Sequence, residues 1–119
     1  MYEAPGRVTI APEVLIAIAR LTTLNVPGVV RMAPTGLQGF LRRGGPEGAL
    51  VEVNGDSVHF DLFIVADAGA NLRQIGQKIQ AEIARAIRDM VGMDIEAINV
   101  HILDVIYPEW VADQTTRSP

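Results

Sequence analysis

Two hydrophobic periods follow one another in the second half of this chain, and their succession narrows the folds open to it. From Val58 to Ala66 the residues alternate: Val58, Phe60, Leu62 and Ile64 on one side, His59, Asp61, Phe63 and Val65 on the other. Successive side chains of a strand point to opposite faces, so this segment is a strand with one strongly apolar face. After Asp67-Ala68-Gly69-Ala70 the spacing becomes three and four, with Leu72, Ile75, Ile79, Ile83, Ile87 and Met90 in register. That is one buried face of a helix, and Gln74, Gln77, Lys78, Arg85, Arg88 and Asp89 lie largely opposite it. Asn71 suits its N-cap and Gly92 its C-terminal cap. A last strand runs from about Ile95 to Ile106 and is closed by Pro108. Within it Ile98, Val100 and Ile102 share a parity that Leu103 and Val105 leave, which predicts a bulge or burial on both faces. A strand, helix and strand in this order predict a right-handed crossover between two parallel strands.

The first half supplies the remaining elements. Arg7 to Ile10 reads as a short strand. Pro12 fits a first helical turn, with Glu13 near the positive end of the helix dipole. Val14, Leu15, Ile18, Ala19 and Leu21 form a broad apolar stripe, predicting a helix over residues 12–24 that Asn25-Val26-Pro27-Gly28 ends. Val29 to Met32 reads as a strand, and Ala49 to Val53 pairs with Val58 to Ala66 around an Asn54-Gly55 hairpin turn. The predicted order is β-α-β-β-β-α-β. It predicts an α+β fold, a two-layer sandwich whose mixed sheet carries both helices on one face. A chain of 119 residues fits one domain, placed at residues 1–110 with a polar tail over 111–119.

Several function classes drop out. With no cysteine, disulfides, thiolate catalysis and cysteine-based metal centres are excluded. Ten basic against fourteen acidic residues give a net charge of −4, the wrong sign for a dedicated nucleic-acid binder. No apolar run approaches the ~20 residues of a membrane span, and the N-terminus lacks a secretory pattern, so a cytoplasmic location is expected. No Ser-His-Asp order, nucleophile elbow or HExxH motif is present, so no enzymatic activity is expected.

Three features invite a functional reading. If the strands holding them are neighbours, His59, Asp61 and His101 cluster on the open sheet face, a set resembling a two-histidine, one-carboxylate metal site. A solvated sheet face produces the same polar alternation. Residues 36–48 form a glycine-rich loop in which Gly36-Leu37-Gln38-Gly39 matches the GxxG of RNA-binding KH domains, beside Arg42 and Arg43. Its flanks read as strands rather than helices, which argues against that use. The loop lacks the Gly-Lys-Ser/Thr ending of a nucleotide-binding loop. Leu37, Phe40 and Leu41 next to Arg42 and Arg43 also suit docking to a protein partner or an anionic membrane surface. The alternative is a loop folded back over its own core. Trp110 presents the same choice between partner anchor and lid over the sheet edge.

Taken in order, these landmarks resemble the alkaline shock protein family, the Asp/Gls-type envelope-stress proteins of bacteria. Gly6-Arg7-Val8-Thr9-Ile10-Ala11-Pro12-Glu13-Val14-Leu15 is similar to that family's Gly-x-Ile-x-Ile-x-x-Glu-Val-Ile opening. Val26-Pro27-Gly28-Val29 resembles its Gly-Val turn, and Val58 to Val65 with Gly69-Ala70-Asn71-Leu72 resembles its strand and Gly-x-Asn helix start. Met90-Val91-Gly92-Met93 and Ile98-Asn99-Val100-His101-Ile102 look like its Met-Thr-Gly-Leu and Val-Asn-Val-x-Val close. The chain departs from the pattern at Ala68, where an aromatic is common, and at Val91, where Thr is usual. The resemblance implies a non-enzymatic cytoplasmic protein of the envelope and alkaline stress response, held at the inner membrane face through a membrane-protein partner. It implies self-assembly in some members, and no catalytic residues or cofactor to carry over.

Overall fold

Alternation over Ser57–Asp67 makes an eleven-residue strand, β3, and every other strand is organised on it. The computed structural model describes residues 5–34 and 48–109. In chain order these form helix α1 (Pro12–Leu24), β1 (Val29–Met32), β2 (Ala49–Asn54), β3, helix α2 (Leu72–Met90) and β4 (Asp94–Ile106). β4 runs parallel to β3 along its whole length, as a strand-helix-strand crossover requires. β1 and β2 both pair antiparallel with β3, β1 with residues 64–66 and β2 with residues 57–62. Since β4 occupies one edge of β3, β1 and β2 lie end to end along the other. Ala33 donates its N–H to the carbonyl of Phe63, and Phe63 donates its own to Gly48, so the two short strands meet at a single residue.

Val58, Phe60, Leu62, Ile64 and Ala66 of β3 are fully buried under the helices. They meet Ile75, Ile79, Ile83 and Ile87 of α2 with Leu15 and Ala19 of α1, while Ile98 adds the β4 contribution. The architecture is the expected α+β two-layer sandwich. Asn71 caps α2 by accepting from the Gln74 N–H at 3.0 Å, and Gly92, at φ +76°, ends it as its N–H returns to the Ile87 carbonyl. Gln80 Nε2 donates to the Ile98 carbonyl at 3.0 Å, tying the helix to β4.

Three expectations are corrected. Residues 5–11 carry no regular secondary structure, so the strand expected over Arg7–Ile10 is absent; Val8 is 90% exposed and has no ladder to join. The hairpin turn is displaced by one residue. Asn54 pairs with Ser57, leaving Gly55 and Asp56 as the two central residues. Gly55 is at φ +61° and, among the described residues, no non-glycine has positive φ, the pattern of a glycine-first type II′ turn. An Asn54-Gly55 centre would have paired Val53 with Asp56 instead of Val58 and pushed an acid toward the core face. Finally, α1's apolar stripe is wider than its buried face: Leu15 and Ala19 are inside, whereas Val14 and Leu21 are exposed.

Candidate functional site on the open sheet face

The face of the sheet opposite the helices gathers the polar residues singled out from the sequence. On β3, His59 and Asp61 point there by parity. β4 delivers its share through a bulge: between Ile95 and Ala97 the pairing with β3 skips Glu96. This extra residue reverses the parity of the rest of the strand, placing Ile98, Val100 and Ile102 toward the core and Asn99 and His101 toward the open face. A second irregularity skips Leu103, the bulge that the change of parity predicted. Glu96, displaced from the ladder, accepts from Asn54 Nδ2 at 3.1 Å.

Asp61 is the centre of the group. His101 Nε2 lies 2.9 Å from its Oδ1, Asn99 Nδ2 donates to the same oxygen at 3.2 Å, and His59 Nε2 stands 3.2 Å from Oδ2. Phe63, opposite His101 in the ladder, stacks on its ring with centroids 4.7 Å apart and planes 16° off parallel. Leu50 of β2, opposite Asp61, is 9% exposed and walls the site on its apolar side. Burial pushes the Asp61 carboxyl up. The hydrogen bonds from His101 and Asn99, with the charges of His59 and His101, outweigh this and hold it below the ordinary carboxylate value.

Asn99 also brings Nδ2 within 3.2 Å of His59 Nε2. That nitrogen therefore faces both a donor and an acceptor. As a neutral ring protonated on Nδ1, His59 accepts from Asn99; with a proton on Nε2 it donates to Asp61 instead. The cluster is a hydrogen-bond arrangement that ties the central strand β3 to β4, with the His59 tautomer setting which partner its Nε2 serves. A carboxylate engaged by three neighbours and held low in pKa is a weak base, poorly suited to proton abstraction at neutral pH.

The structure thus brings His59, Asp61 and His101 together but not around a vacancy. The carboxylate lies between the imidazoles and takes a contact from each on separate oxygens. Among the described residues, no group of three or more His, Asp or Glu side chains is arranged to hold a metal ion. Leu37, Phe40, Leu41, Arg42 and Arg43, the GxxG at Gly36–Gly39, and Trp110 lie outside the described residues.

Sequence reasoning missed two surface features. One is an open groove of about 630 Å³ between the C-terminal end of α1 and α2, walled by Thr22, Asn25 and Val26 on one side and Lys78, Glu82 and Met90 on the other. The other is the outer stripe of α1, with Val14 47% and Leu21 55% exposed. The signal for the second was in the chain: a helix with apolar residues nearly all round cannot bury them all against one sheet.

A two-layer α+β module with helices on one face and a polar, hydrogen-bonded cluster on the other is what the fold and the site define. Residues 1–107 match the family described as the Asp-23 family, cell envelope-related function. The chain belongs to this family. It is 29% identical to YqhY of Bacillus subtilis over 104 residues, 84% of this chain and 77% of that protein. It is 25% identical to Spy1535 of Streptococcus pyogenes over 103 residues, 85% of this chain and 80% of that one. Among solved structures the fold is similar to substituted forms of the MamM CTD. A zinc form has TM-score 0.55 and 18% identity, covering 77% of this chain and 84% of that chain. A nickel form has TM-score 0.54 and 20% identity, covering 77% of this chain and 96% of that chain. Among the described residues no helix is long and apolar enough to cross a membrane.

Proposed function

We propose that this chain is a non-enzymatic protein-interaction or scaffold module of the envelope stress response, working at the cytoplasmic face of the membrane and held there by a protein partner. The observation that carries this reading is the family match over residues 1–107, whose description is cell envelope-related. Two features accord with it. Asp61, the centre of the polar cluster, is too well solvated by hydrogen bonds to act as a base, and the described helices offer no membrane span, so attachment falls to a partner. The docking element is the segment holding Leu37, Phe40, Leu41, Arg42 and Arg43, where apolar residues and two arginines follow one another in the sequence.

The test is a crosslinked pull-down of the tagged full-length chain from its own cells, with membrane and soluble fractions analysed separately. One membrane protein should be recovered in near-stoichiometric yield. Replacing Phe40, Arg42 and Arg43 together should release the chain to the soluble fraction. Unchanged fractionation of that variant would remove this segment as the docking element, and recovery of soluble proteins alone would overturn the envelope reading.

A further inference from the structure

Among the described residues β4 pairs with β3 alone, so its outer edge carries a row of backbone groups with no neighbouring strand. Edge strands are ordinarily blunted by lysine, proline or a bulge. β4 contains neither lysine, arginine nor proline, and between its bulges at Glu96 and Leu103 it runs regularly through residues 97–102. Alternate residues of a strand direct their N–H and C=O to the neighbour and away from it. Gln80 Nε2 of α2 takes the Ile98 carbonyl, which places Ile98 in the outward-directed set and, by alternation, Val100 and Ile102 as well. The side chains of these two residues face the helix layer but are only partly buried there, so the layer is unfinished along this edge.

Charge decides what can complete it. Asp94, Glu96 and Asp104 are the acids of β4, all exposed, and none forms an ion pair among the described residues. A second copy of β4 is a poor occupant. Antiparallel and centred on Asn99 or Val100, it sets Asp94 or Glu96 opposite Asp104; parallel and in register, each acid meets itself. An extended segment with basic ends meets complementary charge instead, because Asp94 and Asp104 bracket the free run and lie roughly 30 Å apart along the strand.

We propose that the outer edge of β4 takes an extended, basic segment of another protein as an added strand, paired to the backbone of Val100 and Ile102 and flanked by Asp94 and Asp104. Side chains of the segment alternate. Those on the helix side are apolar and cover Val100 and Ile102, and those beside Asn99 and His101 are polar. The assignment rests on the interaction-module reading and deepens it, by naming a surface and the chemistry of the segment that meets it.

The probe is a synthetic peptide of alternating valine and threonine with lysines at both ends, titrated into the purified full-length chain. Anisotropy of the labelled peptide should show binding, at least about tenfold tighter than for the same peptide with glutamate ends. Replacing Asp94→Lys and Asp104→Lys together, both at exposed positions, should reverse that preference. N-methylation of one alternate set of peptide amides should weaken binding by about tenfold or more, whereas methylation of the other set should leave it unchanged, since only one set faces β4. Amide exchange at Val100 and Ile102 should slow on saturation. Equal affinity for the two charge forms, tolerance of both methylation patterns, or unchanged exchange at Val100 and Ile102 would each overturn the assignment. Slowing of those amides with protein concentration in the absence of peptide would also overturn it, by giving the edge to a second copy. The titration is read on purified protein and the docking segment on cell fractions, so the failure of one is distinct from the failure of the other.

Discussion

Asp61 collects contacts from His59, Asn99 and His101 on a sheet face where a carboxylate alone would simply be solvated. Its lowered pKa fixes the sign of its effect on stability. The group stays charged in the folded state to lower pH than in the unfolded chain. Its contribution is therefore fully present above the unfolded value of about 3.9 and is lost as pH falls through the folded value. Asp61→Asn should abolish that acid limb, so urea midpoints measured at pH 6 and pH 3 should differ less in the variant than in the parent. The side chain is 27% exposed, and the difference should be of order 1 kcal/mol or less. An equal pH dependence in both proteins would show that the cluster contributes nothing to acid stability. The parity of these residues was legible, since i, i+2 spacing puts His59 with Asp61 and Asn99 with His101. Their adjacency was not, because which strands are neighbours is set by the whole sheet and not by any local stretch.

The helices and strands differ in how much of each could be read. α2 was legible to its ends, because Asn71, the isoleucine spacing and Gly92 all indicate the same element. The boundaries of α1 were equally clear, but which of its apolar residues face inward was not. A stripe that runs nearly round the helix gives no direction until the sheet supplies one. The contrast has a measurable consequence. Ile83→Ala, in the fully buried row of α2, should cost about 2–5 kcal/mol. Leu21→Ala, equally apolar in sequence but 55% exposed, should stay within about 0.5 kcal/mol at low micromolar protein. Chemical denaturation of the two variants separates the buried face of the core from the free one, and equal costs would contradict the orientation of α1. Arg7–Ile10 shows the opposite limit. Its composition suits a strand, yet a strand exists only where a neighbour offers a ladder.

At the scale of the molecule, the strands before and after residues 34–47 are two lengths of one edge, a relation hidden in the sequence by the residues between them. Ala33 and Gly48 both hydrogen-bond to Phe63, and a Cβ at Gly48 would stand 2.7 Å from the Ala33 carbonyl oxygen. The two ends of the intervening chain are therefore already in contact. Replacing residues 35–47 by a short glycine–serine linker should leave the cooperative unfolding transition in place, with a melting temperature within a few degrees of the parent, because halving or doubling such a connection changes its closure entropy by only about 0.6 kcal/mol. Loss of cooperative unfolding would show that the segment helps hold the sheet. An insert that departs and rejoins at one point behaves like an exchangeable cassette. On the docking role proposed above for residues 37–43, such a cassette could change length and sequence, and with them its partner, while the two points where it leaves and rejoins β3 stay fixed.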